Sequence, residues 1–424
     1  MAAPAPDFPF DAVLFDLDGT LVATDRFWPD AARAACLEAF PRLGITRPIP
    51  PASVWMDMVG LPLDAAFEAA FSDLAPVTRQ ALMETCVEHE HRWLARGEVA
   101  LLPGVAATLN TLAAAGVRLG IASNCGQDYL RLMLERVGLA RWIEEARCLA
   151  SPRVRTKSDM VEDLLLTFGT RSAVMVGDRR GDRDAAWDNG LPHVHVDRGY
   201  AAAPERVEAE AILDGMDQLV DRLRCREAWL DGMLRSFTAA RGAVLGVTGR
   251  PLAGKGLVAR DLARRLCAKG TRAVVVSLDA FACEPGGAAS DDLEGYDVAS
   301  LVAAVLQPHR RGEGVAHLQP QAGGERAITV PTDAVLILEG SFLGHPDLRD
   351  QIDHLVHLAA SDELSLRRAA GRDGRLRGVA PIDEVRRGRL PAHAAFEARY
   401  PPRTTADLIV IADNPLGDTR ARMG

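Results

Sequence analysis

Lysine is nearly absent from this sequence. All but three of its 49 basic residues are arginine, and the three lysines are Lys157, Lys255 and Lys269. In a sequence that uses arginine almost everywhere, a position that holds lysine is a candidate functional position. The compact ammonium group of lysine enters a tight phosphate pocket that a planar guanidinium does not fit. Two of the three lysines lie in motifs that are typical of phosphate chemistry.

The sequence also lacks the features of membrane, secreted and nucleic-acid-binding proteins. No apolar run approaches the roughly 20 residues that a membrane span needs, and residues 1–9 lack the basic and apolar regions of an export signal. The seven cysteines are odd in number and never spaced C-x-x-C, which argues against a disulfide framework or a zinc site. Neither half of the chain has a basic excess. These absences predict a cytoplasmic protein with no membrane and no nucleic-acid partner.

Short apolar stretches alternate with helical ones in two series along the chain. The length of 424 residues favours two or three domains, and the alternation predicts parallel α/β sheets. The predicted strands are 12–15, 117–122, 173–176, 243–247, 273–278, 334–338 and 408–411.

Two segments of the chain interrupt this alternation. Residues 25–98 have only helical patterns, so we expect a helical cap inserted into the first α/β domain. An amphipathic stretch predicts a connecting helix over 223–241. The predicted organisation is therefore a first domain, 1–222, with its core at 1–24 and 99–222, then the connecting helix, then a second domain at 242–424.

Polar residues follow three strands of the first series. Asp16-Leu17-Asp18-Gly19-Thr20 follows the first strand, Ser123 and Asn124 follow the second, and a G-D-R-R-G-D segment with Asp178 and Asp182 follows the third. Ligands bind at the carboxyl ends of parallel strands, so we expect these side chains to share a metal ion and a phosphate group. Lys157 lies between the second and third strands, at the start of a helical stretch.

These four elements, D-x-D-G-T, S-N, a lysine and G-D-x-x-x-D, resemble the haloacid dehalogenase superfamily of phosphohydrolases over about residues 10–222. The resemblance implies a Rossmann-like parallel-sheet core. It implies that Asp16 is the nucleophile, which forms an aspartyl-phosphate, and that Asp18 is the general acid and base. Ser123 and Lys157 would mask the charge of the phosphate together with Mg²⁺. The implied metal ligands are Asp16, the backbone carbonyl of Asp18, Asp178 and, as an auxiliary contact, Asp182.

Two residue patterns narrow the chemistry within this superfamily. The dehalogenases lack the second aspartate, Asp18, and the phosphonate-cleaving relatives use a cap lysine, whereas residues 25–98 contain no lysine. A closing cap suits small soluble phosphate esters. The sequence looks most like the phosphoglycolate phosphatase and β-phosphoglucomutase branch, and a phosphomutase remains an alternative.

The second series of strands begins with a glycine-rich loop. Gly249, Gly254 and Lys255 fit G-x-x-x-x-G-K-[ST], but Gly256 replaces the serine or threonine whose hydroxyl binds Mg²⁺. The backbone N–H groups of such a loop wrap phosphates, and the lysine bridges their oxygens. Acidic residues at two later strand ends, at 279 and 339, fit a nucleotide site.

Residues 242–415 resemble the uridine kinase and phosphoribulokinase family of P-loop kinases. The resemblance implies ATP or another nucleoside triphosphate at the loop, Asp279 as the base on the acceptor hydroxyl, and Glu339 as the residue that orients Mg²⁺. It also implies a lid in the arginine-rich stretch 367–389, with some of Arg367, Arg368, Arg372 and Arg375 closing on the triphosphate.

The leading hypothesis is therefore a phosphatase of a small phosphomonoester fused to a nucleoside or sugar kinase-like domain. Gly256 supports an alternative in which the second domain is a regulatory module that binds nucleotide without transferring phosphate. A nucleic-acid end-repair enzyme is a third possibility, which the missing basic excess and the closing cap oppose.

Overall fold

The computed structural model describes residues 8–97, 99–197, 209–283, 293–321, 324–369, 380–412 and 416. The chain forms two compact units, Phe10–Arg222 and Leu223–Gly424, and the second also includes Met1–Pro9. Within the described ranges, no helix is both long and apolar enough to cross a bilayer.

The N-terminal unit is built on a six-stranded parallel sheet with the order β3-β2-β1-β4-β5-β6. The central strands are apolar and fully buried, as expected for parallel strands that are covered on both faces. The predicted parallel α/β core is confirmed. Its strands are β1 (Ala12–Phe15), β2 (Arg118–Ser123), β3 (Glu145–Cys148), β4 (Ala173–Gly177), β5 (His193–Val196) and β6 (Ala211–Leu213).

Five of the helices in this unit lie between β1 and β2, and the first four span residues 28–95. A cluster of Trp28, Trp55, Phe67 and Phe71 packs among them, and the indole N–H of Trp28 donates a 3.0 Å hydrogen bond to the carbonyl of Trp55. This segment therefore has an apolar core of its own. The helices of the unit are α1 (Trp28–Leu43), α2 (Ala52–Met58), α3 (Leu63–Ala70), α4 (Pro76–Ala95), α5 (Val105–Ala114), α6 (Gln127–Arg136), α7 (Lys157–Phe168) and α8 (Arg180–Asp188).

The next helix, α9 (Leu219–Leu234), replaces the connecting helix predicted over 223–241. Its side chains Trp229, Leu230 and Met233 belong to the apolar core of the C-terminal unit. Arg226 on the same helix forms a buried ion pair with Asp261. The helix is therefore shorter than predicted, and from Leu223 onward it is part of the C-terminal unit because its apolar face is buried there.

The C-terminal unit contains a five-stranded parallel sheet with the order β13-β12-β7-β11-β8 and a separate antiparallel hairpin of β9 and β10. Its strands are β7 (Val244–Gly249), β8 (Ala273–Ser277), β9 (Val315–Gln321), β10 (Gly324–Val330), β11 (Val335–Glu339), β12 (His354–Ala359) and β13 (Leu408–Ile411). Its helices are α10 (Lys255–Ala268), α11 (Val298–Leu301), α12 (Gln307–Arg310), α13 (Pro346–Arg349), α14 (Asp362–Arg368), α15 (Ala380–Glu384), α16 (Leu390–Arg399) and α17 (Pro402–Thr405). Two π-helical turns, Val302–Leu306 and Val385–Arg389, precede α12 and α16.

Candidate active site

Three neighbouring strands of the N-terminal sheet end beside one another. β1 lies between β2 and β4 and pairs in parallel with both. Asp16 follows β1, Ser123 ends β2 and Asp178 follows β4, and all three side chains are buried. The carboxyl edge of the sheet therefore brings together the first aspartate of D-x-D, the serine of S-N and the first aspartate of G-D-x-x-x-D.

Lys157 reaches the same edge from the first residue of α7. A capping box between Thr156 and Asp159 fixes the start of this helix. The Nζ of Lys157 donates a 2.6 Å hydrogen bond to Oδ1 of Asp16 and a 2.5 Å hydrogen bond to Oδ1 of Asp182. Burial by itself would lower the pKa of Lys157, but the two carboxylates outweigh burial and raise that pKa. The lysine is therefore a charged group that links two of the aspartates.

Asp16, Asp178 and Asp182 form a buried carboxylate cluster. One oxygen from each lies within 4.8 Å of the other two. Oδ2 of Asp16 and Oδ2 of Asp178 accept no hydrogen bond from any residue in the described ranges. Burial raises the pKa of Asp16 to about 7, although the charge of Lys157 opposes the shift, and burial also raises the pKa of Asp178 well above its usual value. When all three carboxylates are ionised, their negative charge exceeds what Lys157 offsets, and such oxygen donors suit Mg²⁺.

Asp182 reaches the cluster because Gly177 has no side chain. A Cβ at position 177 would lie 2.2 Å from Cγ of Asp182, which no packing tolerates. Oδ2 of Asp182 also accepts a 2.9 Å hydrogen bond from the backbone N–H of Arg179 at the start of α8. The glycine of the G-D-x-x-x-D motif therefore has a steric role that the sequence analysis did not assign.

Asp18 lies two residues after Asp16, in a tight turn. Gly19 adopts a φ of 79° there, which a side chain would disfavour. Oδ1 of Asp18 accepts a 2.7 Å hydrogen bond from the hydroxyl of Thr24 and another hydrogen bond from the hydroxyl of Tyr129 on α6. Burial raises the pKa of Asp18, and these two hydrogen bonds oppose the shift. Neither donor is predictable from the sequence alone, because neither belongs to a recognisable motif.

Two residues beside the site contact α2 and the loop that follows it. Nδ2 of Asn124 donates a 3.0 Å hydrogen bond to the carbonyl of Gly60, and Nη2 of Arg179 donates one of 3.0 Å to the carbonyl of Met56. A Cβ at Gly60 would lie only 3.3 Å from Cγ of Arg179. The α1–α4 segment is therefore fastened to the carboxyl edge of the sheet next to Ser123 and Asp178.

The glycine-rich loop of the C-terminal unit joins β7 to α10. β7 ends at Gly249, and α10 begins at Lys255, directly after Gly254, whose φ is 92°. The Nζ of Lys255 donates a 2.9 Å hydrogen bond to the carbonyl of Arg250 in the same loop. The lysine side chain therefore folds back over the loop.

Two acidic residues lie at neighbouring strand ends near this loop. Glu339 ends β11, which pairs with both β7 and β8, and Asp279 follows β8. Burial lowers the pKa of Lys255, while the charges of Glu339 and Asp279 oppose that shift. The hydroxyl of Tyr296 donates a 3.3 Å hydrogen bond to Oδ1 of Asp279. A Cβ at Gly256 would lie 3.5 Å from Oε1 of Glu339, so the position of the missing hydroxyl borders this carboxylate.

The helix α14 packs on the glycine-rich loop at the start of the predicted lid. Nη1 of Arg368 donates a 2.9 Å hydrogen bond to the carbonyl of Leu252, and the hydroxyl of Ser365 donates one of 2.8 Å to the carbonyl of Pro251. Arg368, one of the predicted lid arginines, therefore contacts the loop. The side chains of Arg367, Arg372 and Arg375 lie outside the described part of the chain.

The N-terminal unit is similar to a known protein family. Residues 13–196 match the family described as haloacid dehalogenase-like hydrolase. A phosphoglycolate phosphatase of Rhodospirillum rubrum is 31% identical over 224 residues, which are 50% of this chain and 90% of the relative. The tyrosine-protein kinase PtkA of Mycobacterium tuberculosis is 28% identical over 194 residues, which are 45% of this chain and 63% of PtkA. The chain thus spans less than two thirds of PtkA, and the family match ends before the C-terminal unit begins.

Solved structures of low identity align with about half of the chain. A predicted phosphoglycolate phosphatase from Haemophilus somnus has a TM-score of 0.46 and 20% identity, and covers 51% of this chain and 98% of its own. CbbY from Rhodobacter sphaeroides, in complex with phosphate, has a TM-score of 0.43 and 22% identity, and covers 50% of this chain and 96% of its own.

Proposed function

Because this chain belongs to the haloacid dehalogenase-like hydrolase family, we propose that its N-terminal unit is a Mg²⁺-dependent phosphatase of a small phosphomonoester. The observation that carries the proposal is the ammonium group of Lys157, which is hydrogen-bonded at once to Asp16 and Asp182 in the buried carboxylate cluster. A nucleophile, oxygen ligands and a fixed positive charge at one strand edge are what phosphoryl transfer needs. Sugar, nucleotide and glycolyl phosphates are the candidate substrates.

In the proposed reaction, Asp16 attacks phosphorus and forms an aspartyl-phosphate as the bond from phosphorus to the leaving oxygen breaks. Asp18 gives a proton to the leaving oxygen and later takes one from the water that hydrolyses the intermediate, which releases phosphate and restores Asp16. Lys157 and the Ser123 hydroxyl bind the phosphoryl oxygens and offset their negative charge.

The carboxylate cluster fits Mg²⁺, since Oδ2 of Asp16 and Oδ2 of Asp178 are buried oxygens without hydrogen bonds from described residues. These two aspartates and the backbone carbonyl of Asp18 would hold the ion, with Asp182 as an auxiliary contact. When bound, Mg²⁺ supplies the positive charge that lets a carboxylate approach a phosphate. Burial raises the pKa of Asp16 to about 7, so this charge also favours the ionised, nucleophilic form.

Phosphate release from p-nitrophenyl phosphate and from a panel of sugar, nucleotide and glycolyl phosphates tests this proposal. We expect chelation of divalent ions to lower turnover by at least about 10²-fold and added Mg²⁺ to restore it. Turnover that persists after exhaustive chelation would contradict the metal assignment. No turnover of any ester in the presence of Mg²⁺ would contradict the phosphatase assignment. Running the panel with and without ATP also tests whether the C-terminal unit affects the phosphatase.

We further propose that the C-terminal unit binds ATP or another nucleoside triphosphate on the loop from Gly249 to Gly256. The Lys255 side chain folds back over this loop, and the carboxylate of Glu339 lies nearby. Both observations support a site for phosphate and a metal ion. Asp279, which accepts a hydrogen bond from Tyr296, would act as the base on an acceptor hydroxyl. In the alternative, Gly256 leaves the unit a regulatory module that binds nucleotide without transfer.

Gly256→Ser should raise the affinity for Mg²⁺-ATP at least about tenfold, because the new hydroxyl supplies the missing metal ligand. The new Cβ would make ordinary van der Waals contact with Glu339, so the substitution fits. Calorimetric titration with ATP, with Mg²⁺ and with EDTA, measures the effect, and EDTA should abolish the difference. Equal affinity of the two proteins for Mg²⁺-ATP would show that the metal does not approach position 256. Loss of the γ-phosphate in the wild type favours the kinase, and tight binding without it favours the regulatory module.

We propose that residues 1–222 form the phosphatase domain, with the core at 1–24 and 99–222 and the helical cap at 25–98, and that residues 242–424, preceded by the connecting segment 223–241, form a P-loop domain. A cytoplasmic location and the absence of membrane and nucleic-acid partners remain predictions. A phosphomutase remains an alternative for the first domain. Hydrolysis of a 3′-phosphorylated oligonucleotide as fast as small esters would favour the end-repair enzyme instead.

A further inference from the structure

We propose that Tyr129 is a positioning residue that aims the general acid Asp18 at the leaving oxygen of the substrate. This inference rests on the proposed phosphatase function. The hydroxyl of Tyr129 donates a hydrogen bond to Oδ1 of Asp18, and both side chains are buried. Tyr129 lies on α6, far from Asp18 in sequence, where the neighbouring Leu130 and the next-turn Met133 are also buried. The core of the unit therefore fixes the direction from which the hydrogen bond comes.

The two donors on Oδ1 determine where Asp18 can carry a proton. Thr24 donates to Oδ1 at 2.7 Å, in addition to Tyr129. A carboxylate oxygen has two lone pairs in the plane of the group, so two donors occupy its acceptor sites. When Asp18 is protonated, the proton therefore lies on Oδ2, and Oδ2 accepts no hydrogen bond from the residues that the structure describes. Oδ2 is thus the atom that donates the proton to the leaving oxygen.

The proton balance of the reaction follows from this assignment. Oδ2 of Asp18 releases its proton to the leaving oxygen as the phosphorus–oxygen bond of the ester breaks and the bond from phosphorus to Asp16 forms. Water then attacks phosphorus, its proton returns to Oδ2, and the bond to Asp16 breaks. Tyr129 keeps its own proton throughout, since a phenol is a donor at neutral pH. Tyr129 therefore exchanges nothing with the substrate and acts only through Asp18.

The leaving group of the ester decides how much this positioning matters. An alkoxide is a poor leaving group and needs a proton as its bond breaks, whereas p-nitrophenolate leaves as a stable anion. If Asp18 is wrongly oriented, transfer of the phosphoryl group to Asp16 becomes slower for alkyl esters. The same step stays almost unchanged for p-nitrophenyl phosphate. Because kcat/KM reports the reaction through the first irreversible step, the ratio of the two kcat/KM values isolates the effect from general damage to the site.

The test compares kcat/KM for β-glycerol phosphate and p-nitrophenyl phosphate in the wild type, Tyr129→Phe and Tyr400→Phe. We expect Tyr129→Phe to lower the value for the alkyl ester about 10- to 100-fold, in line with the loss of one hydrogen bond to a charged group, and the value for the aryl ester less than about threefold. Tyr400→Phe, which alters a tyrosine of the C-terminal unit, should change neither. Thr24→Val removes the other donor and should also lower the value for the alkyl ester more than that for the aryl ester.

Equal losses on the two esters in Tyr129→Phe, or no loss on either, would overturn the positioning role. If Tyr129→Phe lowers the thermal midpoint of unfolding, the test uses Thr24→Val instead. A ratio of alkyl-ester to aryl-ester kcat/KM in Thr24→Val equal to that of the wild type would also overturn the positioning role. These outcomes differ from failure of the proposed function, because in that case the wild type hydrolyses neither ester.

Discussion

Replacement of Asp16 by asparagine should reduce phosphate release by at least about 10⁴-fold, the scale of loss when a covalent nucleophile is removed. An amide has nearly the shape of a carboxylate, but it is neither charged nor nucleophilic. The fold should tolerate the change, because Asp16 is one of three buried carboxylates that repel one another, and Lys157 keeps its hydrogen bond to Asp182. We expect the thermal midpoint of unfolding to stay the same or to rise.

Steady-state turnover and rapid-quench mass spectrometry measure this prediction together. The wild type should gain the mass of one phosphoryl group during turnover, and Asp16→Asn should not. Asp73→Asn is a matched control, since Asp73 is exposed and only pairs with Arg47 at the surface. It should keep full activity. An Asp16→Asn variant that retains a tenth of wild-type turnover, roughly 10³ more than expected, would remove Asp16 from the nucleophile role.

Asp16, Ser123 and Asp178 were predictable because each of them lies at the end of a strand. An apolar run followed by D-x-D or G-D identifies both the strand and the edge of the sheet. The sequence therefore places Asp16 and Asp178 correctly at that edge. The predicted strands at 12–15 and 408–411 are also confirmed to the residue. These segments have strong local signals, and no tertiary contact is needed to recognise them.

The residues that sequence reasoning missed depend on contacts between distant segments. Tyr129 reaches Asp18 from a helix 111 residues away in sequence, and Arg179 reaches the carbonyl of Met56 across 123 residues. Nothing in the local pattern around either residue encodes its partner. Gly177 was in a recognised motif, but its role follows only from the distance to Asp182 that a Cβ would leave.

Several strands escaped prediction for reasons of composition. β5 has the sequence HVHV and β12 has HLVHLA, so histidines interrupt runs that are otherwise apolar. Both are inner strands of their sheets: β5 pairs with β4 and β6, and β12 pairs with β7 and β13. The hairpin strands β9 and β10 contain glutamine, glutamate and a proline, and are weak strand candidates on their own. Pairing within the fold overrides these local preferences.

The scarcity of lysine elsewhere in the chain makes the ammonium group of Lys157 informative. Lys157→Met should lower kcat/KM about 10³-fold, because it removes the charge that offsets the phosphoryl oxygens. Without Mg²⁺ it should also lower the free energy of unfolding by about 3 kcal/mol, since Asp16 and Asp182 lose the buried cation that both contact. Added Mg²⁺ should raise the thermal midpoint of unfolding more in this variant than in the wild type, because the ion then meets a less neutralised cluster.

Lys157→Arg tests whether the site needs only a positive charge or a positively charged group as small as an ammonium. The ammonium lies 2.6 Å from Asp16 and 2.5 Å from Asp182, and the side chain is almost fully buried, so a guanidinium does not fit without moving a carboxylate. We expect this variant to lose nearly as much kcat/KM as Lys157→Met. Lys269→Arg is the matched control, because Lys269 is half exposed and contacts only the surface carboxylate of Asp231. Wild-type activity in Lys157→Arg would mean that any cation suffices, and the rarity of lysine elsewhere in the chain would then say nothing about this site.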